Sequence, residues 1–336
     1  MDILNRRWNY VNGFGRIGRT ALRLLENDKD IEVVAINDLT DPVQLAYLYK
    51  YDSVHRTNKS KISFDSDELI VKNKKIKVFA EMDPSKLPWK ALGVDIVLEC
   101  TGVFTSKEKC KAHLDAGAKH VIISAPAKDE VKTIVYGVNH NILNKSDEVI
   151  SAASCTTNCL APVLKLINDK FIIKEGFMTT VHAITNDQET LDIPHKKGIM
   201  ARRGRAASLN IIPTSTGAAS QIGKVIPSLK GKMDGLAFRV PVGDGSVIDV
   251  TLELEKSVTK ESVNNMFKSN QSKCLKYTED PIVSCDIIGE EVGATVDGLL
   301  TNIVESDGKQ LLKVVAWYDN EVGYTAQMIR TMKLFM

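Results

Sequence analysis

Two groups of residues in this 336-residue chain have the types and spacing that chemistry would need. The first is Ser154-Cys155-Thr156-Thr157-Asn158-Cys159. Cys155 follows a strand-like run ending at Ala153 and opens a helical pattern from about Thr156. Unpaired N–H groups and the dipole at a helix start favour a thiolate over a thiol. Ser154, Thr156 and Thr157 add hydroxyl donors and little apolar cover, so Cys155 reads as a nucleophile for acyl transfer. An inert, buried cysteine is the competing reading, and Cys100 and Cys285, in apolar runs, suit it better. Cys159 lies one helical turn from Cys155, but no further Cys or His pair completes a zinc set, so no metal is expected. Such a thiol needs a base. His182 ends a strand-like run, whereas His55, His113, His120, His140 and His195 fall in loop or helix contexts. A strand histidine also serves as a packed residue, and the local sequence leaves both readings of His182 open.

The second group is Gly13-Phe14-Gly15-Arg16-Ile17-Gly18, a G-x-G-x-x-G run between a candidate strand and a candidate helix. The first glycine permits a tight turn, the second lets backbone approach a pyrophosphate, and the third lets helix and strand pack closely. An acidic residue is expected about 20 positions on, and Asp38 ends the second apolar run at that place. A carboxylate there bonds ribose hydroxyls and repels a 2′-phosphate, which points to NAD rather than NADP. A glycine-rich turn with Asp38 capping a loop is the bland alternative. Strand, glycines, helix and acid in this order favour the dinucleotide.

The elements that must hold these groups follow from periodicity. Strands are expected at Trp8–Val11, Ile31–Asn37, Val94–Cys100, Val121–Ser124 and Ile134–Tyr136, with a helix over Arg16–Glu26. Strand–helix–strand order implies right-handed crossovers and a parallel sheet. After about residue 175 the pattern alternates, with Ile248, Val250, Leu252 and Leu254 on one face and Asp249, Thr251 and Glu253 on the other. Asp307-Gly308 marks a hairpin turn, and Val322–Leu334 reads as a last helix. The fold class is therefore α/β: a Rossmann-type dinucleotide-binding domain (1–154 and 319–336) and an α+β catalytic and oligomerisation domain (155–318) with a mainly antiparallel sheet. The polar, Arg/Lys-rich stretch Asn186–Ser208 is a long loop of the kind that carries function.

Bulk properties bound the rest. The chain is 43% hydrophobic and 26% charged with a net charge of +2, which excludes disorder and argues against a nucleic-acid-neutralising protein. The Arg cluster at 202–205 lacks the aromatic interleaving of a nucleic-acid platform. No apolar run of about 18 residues spans a bilayer. The polar N-terminus carries no secretory h-region, and scattered cysteines suit a reducing compartment, so a cytoplasmic location is expected.

Longer motifs carry a resemblance. They are Asn12-Gly13-Phe14-Gly15-Arg16-Ile17-Gly18-Arg19, Lys50-Tyr51-Asp52-Ser53, Ser124-Ala125-Pro126-Ala127-Lys128, the run from Ala153 to Pro162, and Thr185-Asn186-Asp187-Gln188. Arg202-Arg203-Gly204-Arg205-Ala206-Ala207, the run from Asn210 to Ala219, and Trp317-Tyr318-Asp319-Asn320-Glu321 complete the series. Over nearly its whole length the chain resembles the glyceraldehyde-3-phosphate dehydrogenases of the phosphorylating, glycolytic type. The resemblance implies a homotetramer that binds NAD, glyceraldehyde 3-phosphate and inorganic phosphate. It implies attack by Cys155 on the aldehyde, with His182 taking the proton, hydride transfer to give a thioester, and release of an acyl phosphate. It assigns Asn320 to the nicotinamide carboxamide, and Thr101, Gly102 and Ser124 to the cofactor site. Thr185, Asp187 and Arg239 would line a substrate-phosphate pocket. Ser154, Thr156, Thr216, Gly217 and Arg203 would line one for the attacking phosphate, since Arg and hydroxyl donors suit dianions. Erythrose-4-phosphate dehydrogenase shares most of these motifs, and a binding or scaffold protein that kept the fold and lost the chemistry is the reading from another class. Departures from the family pattern are Met82 near the expected adenine pocket, Ile193-Pro194, the length of the loop 195–201, and the bulky or polar Trp8-Asn9-Tyr10 in the first strand.

Overall fold

The computed structural model describes residues 7–195 and 198–336, so Lys196 and Lys197 of the loop 195–201 lie outside the described residues. Two compact units divide the chain: Met1–Ile134 with His140–Ala153 and Met328–Met336, and Val135–Asn139 with Ser154–Gln327. The chain returns to the first unit at Met328, inside the last helix, where the sequence suggested 319.

In the first unit, β1 (Arg7–Asn12), α1 (Arg16–Leu25), β2 (Ile31–Asn37) and α2 (Pro42–Lys50) lead to the hairpin-linked β3 (Ile62–Asp65), β4 (Glu68–Val71) and β5 (Lys74–Phe79). Then come β6 (Ile96–Glu99), α3 (Lys107–Asp115), β7 (His120–Ile123), β8 (Lys132–Thr133) and β9 (Val149–Ser151). The sheet order is β3-β4-β5-β2-β1-β6-β7-β9-β8, parallel from β5 to β8. All four residues of β6 are buried, as expected of a parallel strand covered on both faces. The order reverses about β1, between β2 and β6, and ligands of such sheets bind at that switch point, beyond the carboxyl ends of the strands. Helix α1 buries Ala21, Leu22 and Leu25.

Tyr10 has a physical account here. It is fully buried, sits opposite the small Ala35 of β2, and its ring centroid lies 3.7 Å from that of Trp89. The β1–β2 register shifts between Asn9 and Tyr10. Space left by alanine and a local irregularity thus admit an aromatic ring in a central strand.

The expected strand Ile134–Tyr136 is not formed. The paired residues are Lys132 and Thr133, and Ile134 gives one last N–H to the Ser151 carbonyl (2.8 Å). Val135 N–H then donates to the Asn139 side chain at 2.8 Å and Gly137 takes a positive φ, so the backbone turns out of the sheet.

The second unit begins with α4 (Cys155–Phe171) and β10 (Ile173–His182). It continues through β11 (Ile212–Ser215), α5 (Ala218–Val225), β12 (Met233–Arg239), β13 (Ser246–Leu254), α6 (Lys260–Ser269), β14 (Leu275–Thr278), β15 (Ala294–Asp297), β16 (Asn302–Ser306) and β17 (Lys309–Tyr318). Helix α7 (Val322–Met332) follows. The sheet runs β11-β12-β10-β13-β17-β15-β14, with β16 paired to β17. It is mainly antiparallel; β10 with β12 and β14 with β15 are the parallel pairs. Ile248, Val250 and Leu252 are fully buried while their neighbours are half-buried, the alternation of a sheet with one covered face. Asp307 and Gly308 both take positive φ between β16 and β17, which matches the twist of a two-residue hairpin. Cys285, expected to be buried, is exposed because Ser284–Ile287 is a single 3-10 turn whose only buried residue is Ile287. No helix among the described residues is long and apolar enough to cross a membrane.

Candidate active site

The glycine turn fits a dinucleotide in steric detail. Gly13 has φ +88°, and a Cβ there would lie 2.7 Å from the Thr101 backbone nitrogen. A Cβ on Gly18 would lie 2.2 Å from the Gly13 carbonyl oxygen, so helix and turn touch only because no side chain intervenes. A Cβ on Gly15 would meet nothing within 4 Å. Gly15 is also the N-cap of α1 and supplies no side-chain cap, so the first N–H groups of the helix face an open approach suited to a pyrophosphate. Asp38 accepts from Phe14 N–H at 2.8 Å through one oxygen and from Thr40 N–H at 3.0 Å through the other. Its carboxylate is thereby pinned beside the turn. Arg16 pairs with Asp52, whose carboxyl is held at about 2, where hydrogen bonds from His55 N–H and Arg16 outweigh the cost of burial. Thr101 and Gly102 follow β6, and Ser124 N–H bonds the Glu99 carbonyl at 2.9 Å just past β7. Gly13 to Gly18, Asp38, Thr101, Gly102 and Ser124 thus gather at the carboxyl ends of β1, β2, β6 and β7. These residues fit NAD.

The thiol lies in the second unit. Ser154 caps α4, its Oγ accepting from Thr157 N–H at 3.1 Å, and Cys155 is the first helical residue. Its Sγ is 3.4 Å from His182 Nε2 at the end of β10. The other ring nitrogen decides the tautomer. His182 Nδ1 is 2.7 Å from the Ala183 carbonyl, which only accepts, so Nδ1 carries the proton and Nε2 presents its lone pair to the thiol. Burial is the main force on both groups. It pushes the Cys155 thiol up, opposed by the Arg239 charge and Thr156, and drives His182 down to about 3, with Arg239 and Arg203 adding to the fall. The helix start alone suggested a thiolate. In the folded protein burial works against that, holding the thiol up and the imidazole down.

Hydroxyls lock this pair. Thr180 donates to the Val247 carbonyl (3.0 Å), so it accepts from the Tyr318 hydroxyl (2.8 Å). The Tyr318 oxygen in turn accepts from Thr156 (2.9 Å). The residue after the thiol and the residue two before the imidazole are therefore tied through one phenol, whose ring also meets His182 edge-on, at 5.9 Å and 77°. Ser246 accepts from Ala183 N–H (3.0 Å) and donates to Asn320 Oδ1 (2.6 Å), which fixes the amide orientation of Asn320.

Basic residues flank the pair. Arg239 Nη1 donates to Thr185 Oγ1 (2.7 Å) and to the Ala183 carbonyl (3.1 Å), while its buried Nε has no partner among the described residues. Thr185 donates to Asp187, and Arg203 forms an ion pair with the same carboxylate. Arg203 also reaches Thr214 Oγ1 at 3.2 Å, and its pKa falls to about 10 through burial and the charge of Arg239. Residues expected to serve two separate anion pockets are thus one connected string: Arg239, Thr185, Asp187, Arg203. Thr216 Oγ1 accepts from Ala218 N–H (3.2 Å) beside Gly217, the N-cap of α5. The Thr156 hydroxyl is committed to Tyr318.

Residues 154–320 match the model of the glyceraldehyde 3-phosphate dehydrogenase C-terminal domain, and residues 10–107 match that of its NAD binding domain. The chain is 56% identical over 325 residues to a Clostridium pasteurianum protein named glyceraldehyde-3-phosphate dehydrogenase, covering 97% of each. The chain belongs to the glyceraldehyde-3-phosphate dehydrogenase family. Proteins of that name from Clostridium acetobutylicum (55% over 325 residues) and Streptococcus pyogenes (50% over 326) are similar over 97% of each chain.

Within this dehydrogenase family member, sequence reasoning gave no role to Tyr318, Ser246 or Thr180. Tyr318 stood inside a quoted motif, but its partners lie 162 and 138 residues away, and no local pattern reports them. Met82 is largely exposed, and nothing in the structure explains its departure from the family pattern.

Proposed function

We propose that this protein is an NAD-dependent phosphorylating dehydrogenase of D-glyceraldehyde 3-phosphate, yielding 1,3-bisphosphoglycerate. The observation that carries the reading is the 3.4 Å approach of Cys155 Sγ to the unprotonated Nε2 of His182, with the opposite nitrogen held on a backbone carbonyl. Cys155 Sγ attacks the aldehyde carbon as Nε2 receives the thiol proton, which then passes to the former carbonyl oxygen to give the hydroxyl of a thiohemiacetal. Bound NAD supplies the acceptor for the hydride that converts this adduct into a thioester. His182 takes the hydroxyl proton at that stage. A phosphate oxygen then attacks the thioester carbon, the S–C bond breaks with its electron pair on sulfur, the acyl phosphate leaves, and the Cys155 thiolate takes back the proton held on His182 Nε2.

Gly13, Phe14, Gly15, Arg16, Ile17, Gly18, Asp38, Thr101, Gly102, Ser124 and Asn320 serve the cofactor, Arg16 by bracing the turn through Asp52. Thr185, Asp187 and Arg239 serve the substrate phosphate; the unpartnered Nε of Arg239 supports that role. Ser154, Thr156, Thr216, Gly217 and Arg203 serve the inorganic phosphate, Thr156 by fixing the helix start through Tyr318. The working protein is a cytoplasmic homotetramer whose residues 1–154 and 319–336 serve NAD and 155–318 serve catalysis and assembly. Exposed Leu191, Ile193, Ile199, Met200, Leu209 and Ile211 on one segment support the assembly.

The test follows NADH in the steady state with glyceraldehyde 3-phosphate and with erythrose 4-phosphate, each with and without inorganic phosphate. The expected result is phosphate-dependent turnover with higher kcat/KM for the triose. A clear preference for the tetrose overturns the substrate. No turnover, together with no selective alkylation of Cys155 by iodoacetamide, establishes a binding protein instead.

A further inference from the structure

Beneath the cofactor turn lies a buried carboxylate that the chemistry above does not use. Glu99, 1% exposed, ends β6 and receives four donors. Oε1 accepts from Thr101 N–H at 2.9 Å and from the Thr101 hydroxyl. Oε2 accepts from Asn12 Nδ2 at 2.5 Å and from His113 Nε2 at 3.2 Å. The direction of the last bond is set elsewhere. Trp89 Nε1, which only donates, lies 3.3 Å from His113 Nδ1, so Nδ1 accepts and the imidazole proton sits on Nε2.

The string continues away from Glu99. Asn12, the residue before Gly13, accepts at Oδ1 from Asn37 Nδ2 (2.8 Å). Asn37, the residue before Asp38, also donates to the Glu81 carbonyl (2.8 Å) and accepts from Glu81 N–H (2.7 Å). One network therefore ties the ends of β1, β2 and β6 to each other and to the loop after β5. Each member stands next to a segment assigned to NAD: Asn12 to the glycine turn, Asn37 to the ribose carboxylate, and Glu99 to Thr101 and Gly102. Thr101 N is also the atom against which Gly13 packs, 2.7 Å from where a Cβ would sit.

We infer that Glu99 is a positioning residue for NAD: through Asn12, Asn37 and Thr101 it holds three strand-end loops in their cofactor-binding shape before the dinucleotide arrives. It acts from inside the sheet and touches no ligand itself. Four convergent donors need a group with acceptors on both oxygens. An amide of the same shape offers one oxygen and turns an NH₂ toward two donors, so Glu99→Gln is the informative change. The inference rests on the reading of this face as the NAD site.

The experiment measures the dissociation constant for NAD by calorimetry on the full-length apoenzyme, with KM for NAD, kcat at saturating NAD, and Tm without ligand. Glu99→Gln is expected to raise Kd and KM for NAD about 10-fold or more, as befits hydrogen bonds to a charged group, with kcat at saturation within about twofold of the parent. Ile122→Val, in the core of the same unit, controls for stability: it should lower Tm and leave Kd for NAD unchanged. Should Glu99→Gln not fold, Asn37→Ala decides, since it cuts the network at the far end and is expected to raise Kd in the same sense. A variant that loses Tm but binds NAD like the parent overturns the positioning role. A parent enzyme that binds no NAD overturns instead the reading of the site.

Discussion

Replacing His182 with glutamine tests the catalytic pair directly. Glutamine keeps similar bulk and hydrogen-bonding atoms but has no basic lone pair, so Cys155 loses the acceptor now 3.4 Å from its sulfur. Among the described residues the other side-chain partner of Sγ is Thr156 Oγ1 at 4.0 Å, too far and too weak to take the proton. A positioned general base contributes about 10²–10⁴-fold, or roughly 3–5 kcal/mol of barrier at about 1.4 kcal/mol per decade. The thiol is already raised by burial, which places the expected loss toward the upper half of that range. The assay is single-turnover NADH formation without phosphate, which isolates acylation. Iodoacetamide alkylation of Cys155 runs in parallel as a function of pH. The introduced amide does not ionise, so no carboxylate substitutes for the imidazole. His182→Gln should slow acylation by about 10³-fold and move thiol alkylation to higher pH. An acylation rate within about tenfold of the parent, or an unchanged alkylation profile, would refute the assignment of His182 as base.

Four further outcomes are expected. Because burial lowers His182 from 6.5 to about 3, the imidazole stays neutral as pH falls through the usual histidine range. Acylation should therefore show no loss with an apparent pKa near 6.5, and a limb there that His182→Gln abolishes would contradict the structure. The same shift has a stability cost whose sign is fixed: between pH 6.5 and about 3 the unfolded chain binds a proton that the folded one refuses. Denaturant midpoints should accordingly fall as pH drops across that window, and less so in His182→Gln. Asp38→Asn keeps an oxygen for the Phe14 N–H group and removes the charge proposed to repel a 2′-phosphate. The ratio of kcat/KM for NAD to that for NADP should fall at least about tenfold; an unchanged ratio removes Asp38 from the selectivity. Tyr318→Phe strands the buried Thr156 hydroxyl, which should lower stability by about 1–3 kcal/mol in a urea titration and slow acylation more than it raises KM; equal stability and rate would dismiss the tie.

The sequence made some of this legible because the relevant physics is local. Gly13, Gly15 and Gly18 are needed by a turn and a helix start that they themselves form, and Asp38 follows at the distance set by one strand–helix–strand unit. Helix α4 begins at Cys155, one residue before the periodicity placed it, because Ser154 provides the cap. The alternation in β13 reports directly on a sheet with one covered face. Other features depend on partners far along the chain. The tautomer of His182 is set by a backbone carbonyl, which no side-chain pattern encodes. The balance of forces on the Cys155 thiol depends on burial, which raises it, and on Arg239, 84 residues on, which opposes that rise. The apolar run Ile134–Tyr136 looked like a strand, but its side chains are buried or half-buried while Asn139 takes the Val135 N–H group that a sheet partner would need. Tyr10 seemed out of place until Ala35 and Trp89 stood around it.

The ion pair between Arg203 and Asp187 has a consequence for turnover. Asp187 is a resident counter-ion, so the guanidinium is never bare and the loop around it has a shape even when empty. On the proposed assignment of Arg203 to inorganic phosphate, an arriving phosphate would exchange with a tethered carboxylate, and the site would gain only the difference between those two partners. Such an exchange would shorten the residence of anions. Asp187, tethered on the same segment as Arg203, would then reclaim the arginine as the acyl phosphate leaves.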